Sequence, residues 1–196
     1  MKKYFFVATM ALFTIALSCT KNNTPSKTVK AETPAQALIN NKFLDYTQIV
    51  DDGPYELGYR FYSSKNGRIT KIGCYVPQNL SYRVTLWDSA TKQILALATI
   101  PVTDSTKFTY KDILPINIEA NKKYIISINN FIDGVNKQRF QLTRKAPNVL
   151  SFPINIGTIT ILRGMYTNCS TTCFPERNDG ETFLTGFPDF VIEYTE

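Results

Sequence analysis

The sequence is dominated by short apolar runs that are separated by turn residues, at the spacing typical of a β-sandwich. Tyr82, Val84 and Leu86 alternate with polar neighbours, as side chains do along a strand with one buried face. Asn66-Gly67 lies between two such runs and is a common hairpin turn. Every candidate helix is short. The pattern predicts an all-β fold, an antiparallel two-sheet β-sandwich, with a closed barrel as the alternative.

The predicted strands are apolar runs bounded by Gly, Pro, Asn, Asp or Ser. They cover residues 57–62, 68–76, 82–87, 94–100, 108–110, 116–118, 124–128, 139–142, 148–152, 154–162 and 190–194. The run 94–100 is apolar on both faces, which predicts a central strand. Residues 37–44 are compatible with a short helix or a first strand.

Composition excludes several classes of function. The chain of 196 residues has no histidine, which excludes Ser-His-Asp and Cys-His catalysis, HExxH metalloproteases and histidine-ligated zinc. The net charge is +6, but residues 36–196 hold 22 − 5 = 17 basic and 16 − 1 = 15 acidic residues. No run of Lys or Arg exceeds two residues, so we predict no nucleic-acid partner.

The N-terminus has the features of an export signal. Lys2 and Lys3 precede an apolar run over residues 4–17, which at 14 residues is too short to span a membrane. Small residues at Ala16 and Ser18 then precede Cys19, and this arrangement resembles a bacterial lipoprotein signal. The resemblance implies lipidation of Cys19 and a membrane anchor. Cleavage by an ordinary signal peptidase, which would release a soluble protein, is the alternative.

These features predict three segments. Residues 1–18 are a signal peptide, residues 19–35 a flexible tether, and residues 36–196 one β-sandwich domain. The tether is expected because it is polar, contains two prolines and lacks aromatic residues. We therefore expect an exported protein, an outer-membrane or cell-surface lipoprotein of a Gram-negative bacterium.

A set of short motifs resembles a bacterial family of domains of unknown function. Between residues 53 and 130 the motifs are Glu56-Leu57-Gly58-x-x-Phe61, Gly67-x-Ile69-Thr70-x-Ile72, Leu86-Trp87-Asp88-Ser89, Pro115-Ile116-x-Ile118-x-Ala120-Asn121 and Tyr124-x-Ile126-Ser127. Residues 187–192 resemble the family's last strand. The resemblance implies jelly-roll-like β-sandwich modules of extracellular and carbohydrate-active proteins, and it implies no catalytic residue.

The four cysteines fall into different roles. Cys169 and Cys173 are the only close pair, and export to an oxidising compartment favours a disulfide between them over a zinc site. Cys74 shares a predicted strand face with Ile72 and Val76, which predicts a buried, inert thiol.

Aromatic residues in predicted loops are the candidate ligand-binding residues. Phe131, Tyr166 and Phe174 lie in such loops, and loops at one end of a sandwich commonly bind ligands. Each could equally pack beneath its loop. Trp87 should point away from Val84 and Leu86, and we interpret it as a packing residue.

Acidic residues near glycines suggest a structural calcium ion as the one candidate cofactor. Asp51, Asp52 and Glu56 are the candidate ligands, and Asp133 and the Asp179–Glu181 region are further groups. Asp-Gly sequences are also common turns. Asp88-Ser89-Ala90 and Asp104-Ser105-Thr106 resemble a bacterial O-glycan acceptor pattern, although both also have the composition of turns.

Taken together, the residues predict a non-catalytic, lipid-anchored envelope protein that binds a carbohydrate or a partner protein. The alternative is a structural or assembly subunit whose sheet edges pair with other chains. A hydrolase is the third hypothesis, which the missing histidine and the missing nucleophile motifs disfavour.

Overall fold

The computed structural model describes residues 29–40, 44–49, 53–132, 135–136, 139–144, 151–179 and 184–195. Within these residues the chain forms sixteen strands and one short helix. No helix in the described ranges is both long and apolar enough to cross a membrane.

The elements follow the chain in this order: β1 (Val29–Glu32), α1 (Pro34–Ile39), β2 (Leu44–Ile49), β3 (Tyr55–Ser63), β4 (Gly67–Cys74), β5 (Ser81–Asp88), β6 (Ile94–Pro101), β7 (Thr109–Ile118), β8 (Lys123–Asn129), β9 (Phe131–Ile132), β10 (Val135–Asn136), β11 (Arg139–Arg144), β12 (Ile154–Ile156), β13 (Ile159–Asn168), β14 (Arg177–Asn178), β15 (Leu184–Thr185) and β16 (Pro188–Thr195).

Two antiparallel sheets pack against each other, which confirms the predicted β-sandwich. The large sheet has the order β12-β13-β3-β8-β5-β6, and β14 adds to part of β13. The small sheet has the order β1-β16-β4-β7. A three-stranded sheet (β15-β11-β2) and the pair β10-β9 complete the described ladders. The alternative of a closed barrel is wrong for the described strands, because β6 and β7 end their sheets without a ladder between them.

The core lies between the inner faces of the two sheets. Phe61 of β3 stacks on Phe190 of β16 with ring centroids 4.5 Å apart, and this contact joins the sheets directly. Burying a side chain of this size contributes about 2–3 kcal/mol. The fully buried inner residues include Tyr59, Tyr82, Tyr124, Ile69, Ile72, Leu86, Ile118 and Ile126.

Gly58, the glycine of the first family-like motif, lies where two backbones approach closely. A Cβ at this position would stand 2.0 Å from the carbonyl oxygen of Ile126 on β8. No side chain fits there, so a larger residue would force β3 and β8 apart.

The predicted position of residues 94–100 is wrong. β6 is the last strand of the large sheet, and Ile94 and Leu97 keep 47% and 45% of their surface exposed. A run that is apolar on both faces was expected at the centre of a sheet. Here one face covers the core through Ala98 and Ile100, and the other remains open.

Two other strand assignments differ from the sequence prediction. Residues 109–110 and 116–118 belong to one strand, β7, and Phe108 lies just before it. The register with β4 shifts between Ile69 and Lys71, and the strand continues through Pro115. Proline is tolerated there because β7 is an edge strand. Residues 154–162 split into β12 and β13 at Gly157, whose φ of 58° forms a turn.

Residues 29–35, which the prediction places in a flexible tether, lie in β1 and at the start of α1. β1 pairs with the last strand, β16, from Val29 opposite Thr195 to Glu32 opposite Ile192. A polar composition is compatible with this position because β1 is an exposed edge strand.

Asp189 on β16 binds the start of α1. Its carboxylate is fully buried and accepts hydrogen bonds from the backbone N–H groups of Ala35 and Gln36, both at 3.0 Å, and from the Tyr110 hydroxyl at 2.7 Å. Burial raises the pKa of Asp189 to about 6, although these donors favour the charged form. One buried carboxylate therefore connects the helix, the last strand and β7.

We predict that Asp189→Ala lowers the free energy of unfolding by about 3–5 kcal/mol, because two backbone N–H groups and one hydroxyl lose their buried acceptor. Urea unfolding at neutral pH measures the change. Asp112→Ala is the control, since that side chain is 82% exposed and pairs with Lys71 at the surface. Its expected effect is below about 1 kcal/mol. Equal losses in both variants would contradict the role of Asp189.

Candidate functional site

The outer face of the large sheet carries three different environments in a row. Tyr124, Ile126 and Ile128 of β8 point into the core, so the alternate residues of β8 point outward. The outward residues in chain order are Lys123, Ile125, Ser127 and Asn129. They lead from a basic cavity, through an apolar cluster, to a buried polar network.

A β-bulge determines which residues of β13 join this outer face. Ile159 and Ile161 are fully buried in the core, and the register with β3 then shifts between Ile161 and Arg163. Leu162 is the extra residue. The shift places Arg163 opposite Arg60 of β3, whereas strict alternation from Ile161 would have pointed Arg163 into the core.

The first environment is a cavity of about 670 Å³. Side chains from β3, β8, β13 and β14 and from the segment before β12 form it. The lining residues are Arg60, Lys123, Ser151, Phe152, Pro153, Leu162, Arg163 and Asn178. The described lining thus combines three cations, an amide and a hydroxyl with an aromatic and aliphatic wall.

The three cations of the cavity have no carboxylate partner within the described ranges. Among the described residues, no ion pair involves Arg60, Lys123 or Arg163. The Nε atom of Arg60 is buried, and no described residue supplies it with a hydrogen-bond acceptor. Burial, and secondarily the nearby Arg163, lower the pKa of Arg60. The cavity therefore presents N–H donors and positive charge.

The second environment is an apolar cluster that packs Trp87 against Ile125 and Met165. Phe174 covers the cluster and meets Trp87 edge-on with ring centroids 5.7 Å apart. The Trp87 indole N–H donates to Ser127 Oγ at 2.8 Å. These contacts confirm Trp87 as a packing residue on the face opposite to Val84 and Leu86.

The third environment is a polar network around Glu56. Its Oε1 accepts a 2.6 Å hydrogen bond from Ser127 Oγ, and its Oε2 accepts one of 3.0 Å from Asn129 Nδ2. Arg83 lies 3.7 Å from Oε2 and donates to the carbonyl oxygen of Thr171. Asn129 Nδ2 also donates to Thr171 O at 3.0 Å. The network thus connects the sheet to the loop above it.

Burial raises the pKa of Glu56 to about 7, although Ser127, Asn129 and Arg83 act in the opposite direction. The protonated form also fits the site. A proton on Oε1 can be donated to Ser127 Oγ, whose own hydroxyl can turn to Thr85 O at 3.5 Å. The network therefore accommodates both protonation states near neutral pH.

The loop above Glu56 is closed by the predicted disulfide between Cys169 and Cys173. Its carbonyl groups at Cys169 and Thr171 accept from Asn129, and the backbone N–H of Cys169 donates to Pro54 O at 2.8 Å. Cys74 is a free, buried cysteine, as predicted, and burial raises the pKa of its thiol far above the usual value.

None of the three aromatic residues predicted to bind a ligand lines the cavity. Phe131 and Tyr166 lie in β9 and β13, so their predicted loop positions are wrong. Tyr166 packs against the main core. Phe174 lies outside the strands and packs on Trp87, with Lys92 Nζ 5.4 Å from its ring centroid. The structure therefore does not gather these residues into one site.

The predicted calcium ligands Asp51 and Asp52 lie outside the described residues, as do Asp133 and Glu181. Glu56 is described, and both of its oxygens are engaged by Ser127 and Asn129. No cluster of three metal-ligating side chains occurs among the described residues.

The two sequences that resemble O-glycan acceptors form turns. Asp88 Oδ1 accepts from the backbone N–H groups of Ala90 and Thr91, both at 2.9 Å, around Ser89. Asp104 Oδ1 accepts from Thr106 N at 3.0 Å around Ser105. These bonds account for both aspartates as turn residues, and glycosylation at either serine stays a prediction.

Sequence reasoning missed Arg60, Lys123 and Arg163 because they are far apart along the chain. Arg60 and Arg163 are single charges within apolar strands, and Lys123 follows Lys122 at the start of β8. Only the pairing of β13 with β3, and of β3 with β8, brings them together. The alternation of apolar residues along β3 would have predicted that Arg60 points outward. No local pattern in the sequence predicts the bulge at Leu162.

We predict that Glu56→Gln removes a pH dependence of stability. The pKa of Glu56 rises from 4.5 to about 7 on folding, so its contribution is fully present below pH 4.5 and is lost as pH rises through 7. Over that interval the unfolding free energy of the variant should gain roughly 3 kcal/mol relative to the parent. The glutamine amide can donate to Ser127 as the protonated acid does.

Urea unfolding between pH 4.5 and pH 7 tests this expectation. Glu119→Gln is the matched control, because that side chain is 73% exposed and lies outside the network. Parallel stability curves for Glu56→Gln and the parent across this range would contradict the raised pKa.

Comparison with known proteins identifies the family but no relative of known function. No curated protein matches the sequence. One family model matches residues 45–184. The match covers 184 − 45 + 1 = 140 of the 196 residues. The chain therefore belongs to the family described as a domain of unknown function, DUF4082.

Proposed function

We propose that the protein is a non-catalytic, lipid-anchored module of the bacterial envelope that binds a carbohydrate in the basic cavity. The observation that carries the proposal is the cavity itself, in which Arg60, Lys123 and Arg163 surround a partly apolar wall. Its volume of about 670 Å³ is within the range of small-molecule sites, which is about 300–1,000 Å³.

The wall and the donors of the cavity suit a sugar ring. Phe152 offers an aromatic face to the C–H groups of a sugar at little entropic cost. Asn178 and Ser151 add an amide and a hydroxyl that can bind sugar hydroxyl groups. A pocket with an apolar wall and few polar groups is the usual composition of a ligand site.

The chemistry of the cavity favours binding over turnover. Glycoside hydrolysis uses two carboxyl groups that flank the scissile bond, and the described lining residues include neither Asp nor Glu. The chain also has no histidine to serve as a general base. The most perturbed outer-face carboxyl group, Glu56, is enclosed by Ser127 and Asn129.

The N-terminal features support an exported location for this module. The lipoprotein-like sequence at Cys19 would attach the domain to a membrane, and the residues before Val29 would hold it at a distance. The Cys169–Cys173 disulfide fits an oxidising compartment.

An envelope-polysaccharide array tests the proposal with the protein in the processed form that a Gram-negative host makes. We expect a carbohydrate to bind without release of new reducing ends. Phe152→Leu should weaken that binding about tenfold, because leucine keeps the packing and loses the flat ring. Phe131→Leu is the control, because Phe131 does not line the cavity. The reverse result would place the site at Phe131, and cleavage of the ligand would disprove the non-catalytic role.

A second candidate function, as an assembly subunit, is favoured by the exposed edge of β6. Ile94 and Leu97 of this strand are about half exposed, and Leu114 on the neighbouring β7 is 86% exposed. β6 contains no charged residue, whereas exposed edge strands usually carry charges that prevent pairing. An uncharged strand can pair antiparallel with the same strand of a second copy without repulsion. Lys111 covers part of this edge through a 3.4 Å bond to Thr99 O.

Sedimentation of the processed protein tests this second function. A dimer that dissociates in Leu97→Lys, and persists in Leu80→Lys, is the expected result for pairing through β6. Leu80 is the control because it is 41% exposed but precedes β5. A parent protein that sediments as a monomer at high concentration would exclude pairing between copies.

A further inference from the structure

The most unusual feature of the basic cavity is a pair of like charges in direct register. Arg163 of β13 is the cross-strand partner of Arg60 on β3, and both side chains line the cavity. Directly opposite residues of neighbouring strands have Cβ atoms about 4.5–5.5 Å apart, and like charges at such positions destabilise a sheet. Lys123 adds a third positive charge from the next strand, β8.

The chain neutralises other cations at comparable positions. Lys71 pairs with Asp112 at 2.7 Å, and Lys122, the residue before Lys123, pairs with Asp88 at 3.0 Å. Among the described residues, the three cations of the cavity are left without such a partner. The cavity is thus distinguished by having three such cations together in one lining.

We propose that the cavity is a site for acidic saccharides and binds the acid group of the sugar between Arg60 and Arg163. This inference rests on the proposed carbohydrate-binding function and adds its ligand class. An anion between the two guanidinium groups would convert their repulsion into two charge-assisted sets of hydrogen bonds. The buried Nε–H of Arg60 would then gain an acceptor.

The remaining lining residues fit the rest of such a ligand. Lys123 can attract the acid group or a second charge on the next sugar. Phe152 and Leu162 offer apolar surface to the ring. A neutral saccharide would have to displace water from three cations without compensating their charge, so we expect the site to discriminate against it.

Calorimetric titration of the processed protein tests the inference with three probes of equal length: an oligogalacturonate, a sulfated oligosaccharide and a neutral cello-oligosaccharide. At least one acidic probe should bind ten or more times more tightly than the neutral probe, and its affinity should fall as salt is added. A preference between the first two probes distinguishes a carboxylate from a sulfate group.

Arg60→Gln and Arg163→Gln should each lower the affinity for the preferred probe at least tenfold.

Arg68→Gln is the matched control. It removes the same charge from β4 of the small sheet, where Arg68 is 55% exposed and lies near Glu193. Binding should be unchanged in this variant.

In the absence of ligand, Arg163→Gln should melt roughly 1–3 °C higher than the parent, because the cross-strand repulsion is removed. A residue with a merely structural role would lower the melting temperature when replaced.

The outcomes separate the ligand class from the general function. Equal binding of acidic and neutral probes, unaffected by Arg60→Gln and Arg163→Gln, would overturn the inference and leave the carbohydrate module. If no saccharide on the array and none of the three titrated probes bound, both proposals would be overturned.

Discussion

The register shift at Leu162 is the constraint on which the outer face of the large sheet depends. Before the shift, alternate residues of β13 up to Ile161 fill the core, and after it Met165 points outward onto Trp87. The same shift sets Arg163 opposite Arg60. One extra residue therefore lets a single strand complete the core, the outer apolar cluster and the basic cavity. Bulges are commonly found where a strand must redirect a side chain in this way.

Two buried carboxylates attach the non-strand segments to the sandwich. Asp189 accepts hydrogen bonds from the backbone N–H groups at the start of α1. Glu56 holds Asn129 by a hydrogen bond and Arg83 by an ion pair beneath the disulfide-closed loop. In both cases burial raises the pKa, and several donors offset part of the cost of the buried charge. Such bonds are directional, so they fix where each segment lies, whereas apolar packing alone would allow it to slide.

The sequence was sufficient for the fold class because the alternation of apolar residues is a local property. β3, β4, β5 and β8 lie close to their predicted ranges for this reason. The errors have non-local causes. The edge position of β6 depends on which strand ends the sheet, and the pairing of β1 with β16 joins segments that are far apart in sequence. The disulfide was predictable because both cysteines lie in one short segment. The site was not, since its cations come from strands far apart in sequence.

Among the described residues, the cavity leaves three cations without a carboxylate, and this arrangement is a cost to stability. A glutamate in place of either Arg60 or Arg163 would form an ion pair with the remaining arginine across the strands and would be expected to stabilise the sheet. The chain makes such pairs elsewhere, even at exposed positions such as Lys92 with Glu176. Local rules are most often broken where a binding site requires it, because preorganised charge binds a ligand more strongly than charge that must first leave an internal partner. The repulsion between Arg60 and Arg163 is therefore the feature of this fold that a negatively charged ligand would relieve.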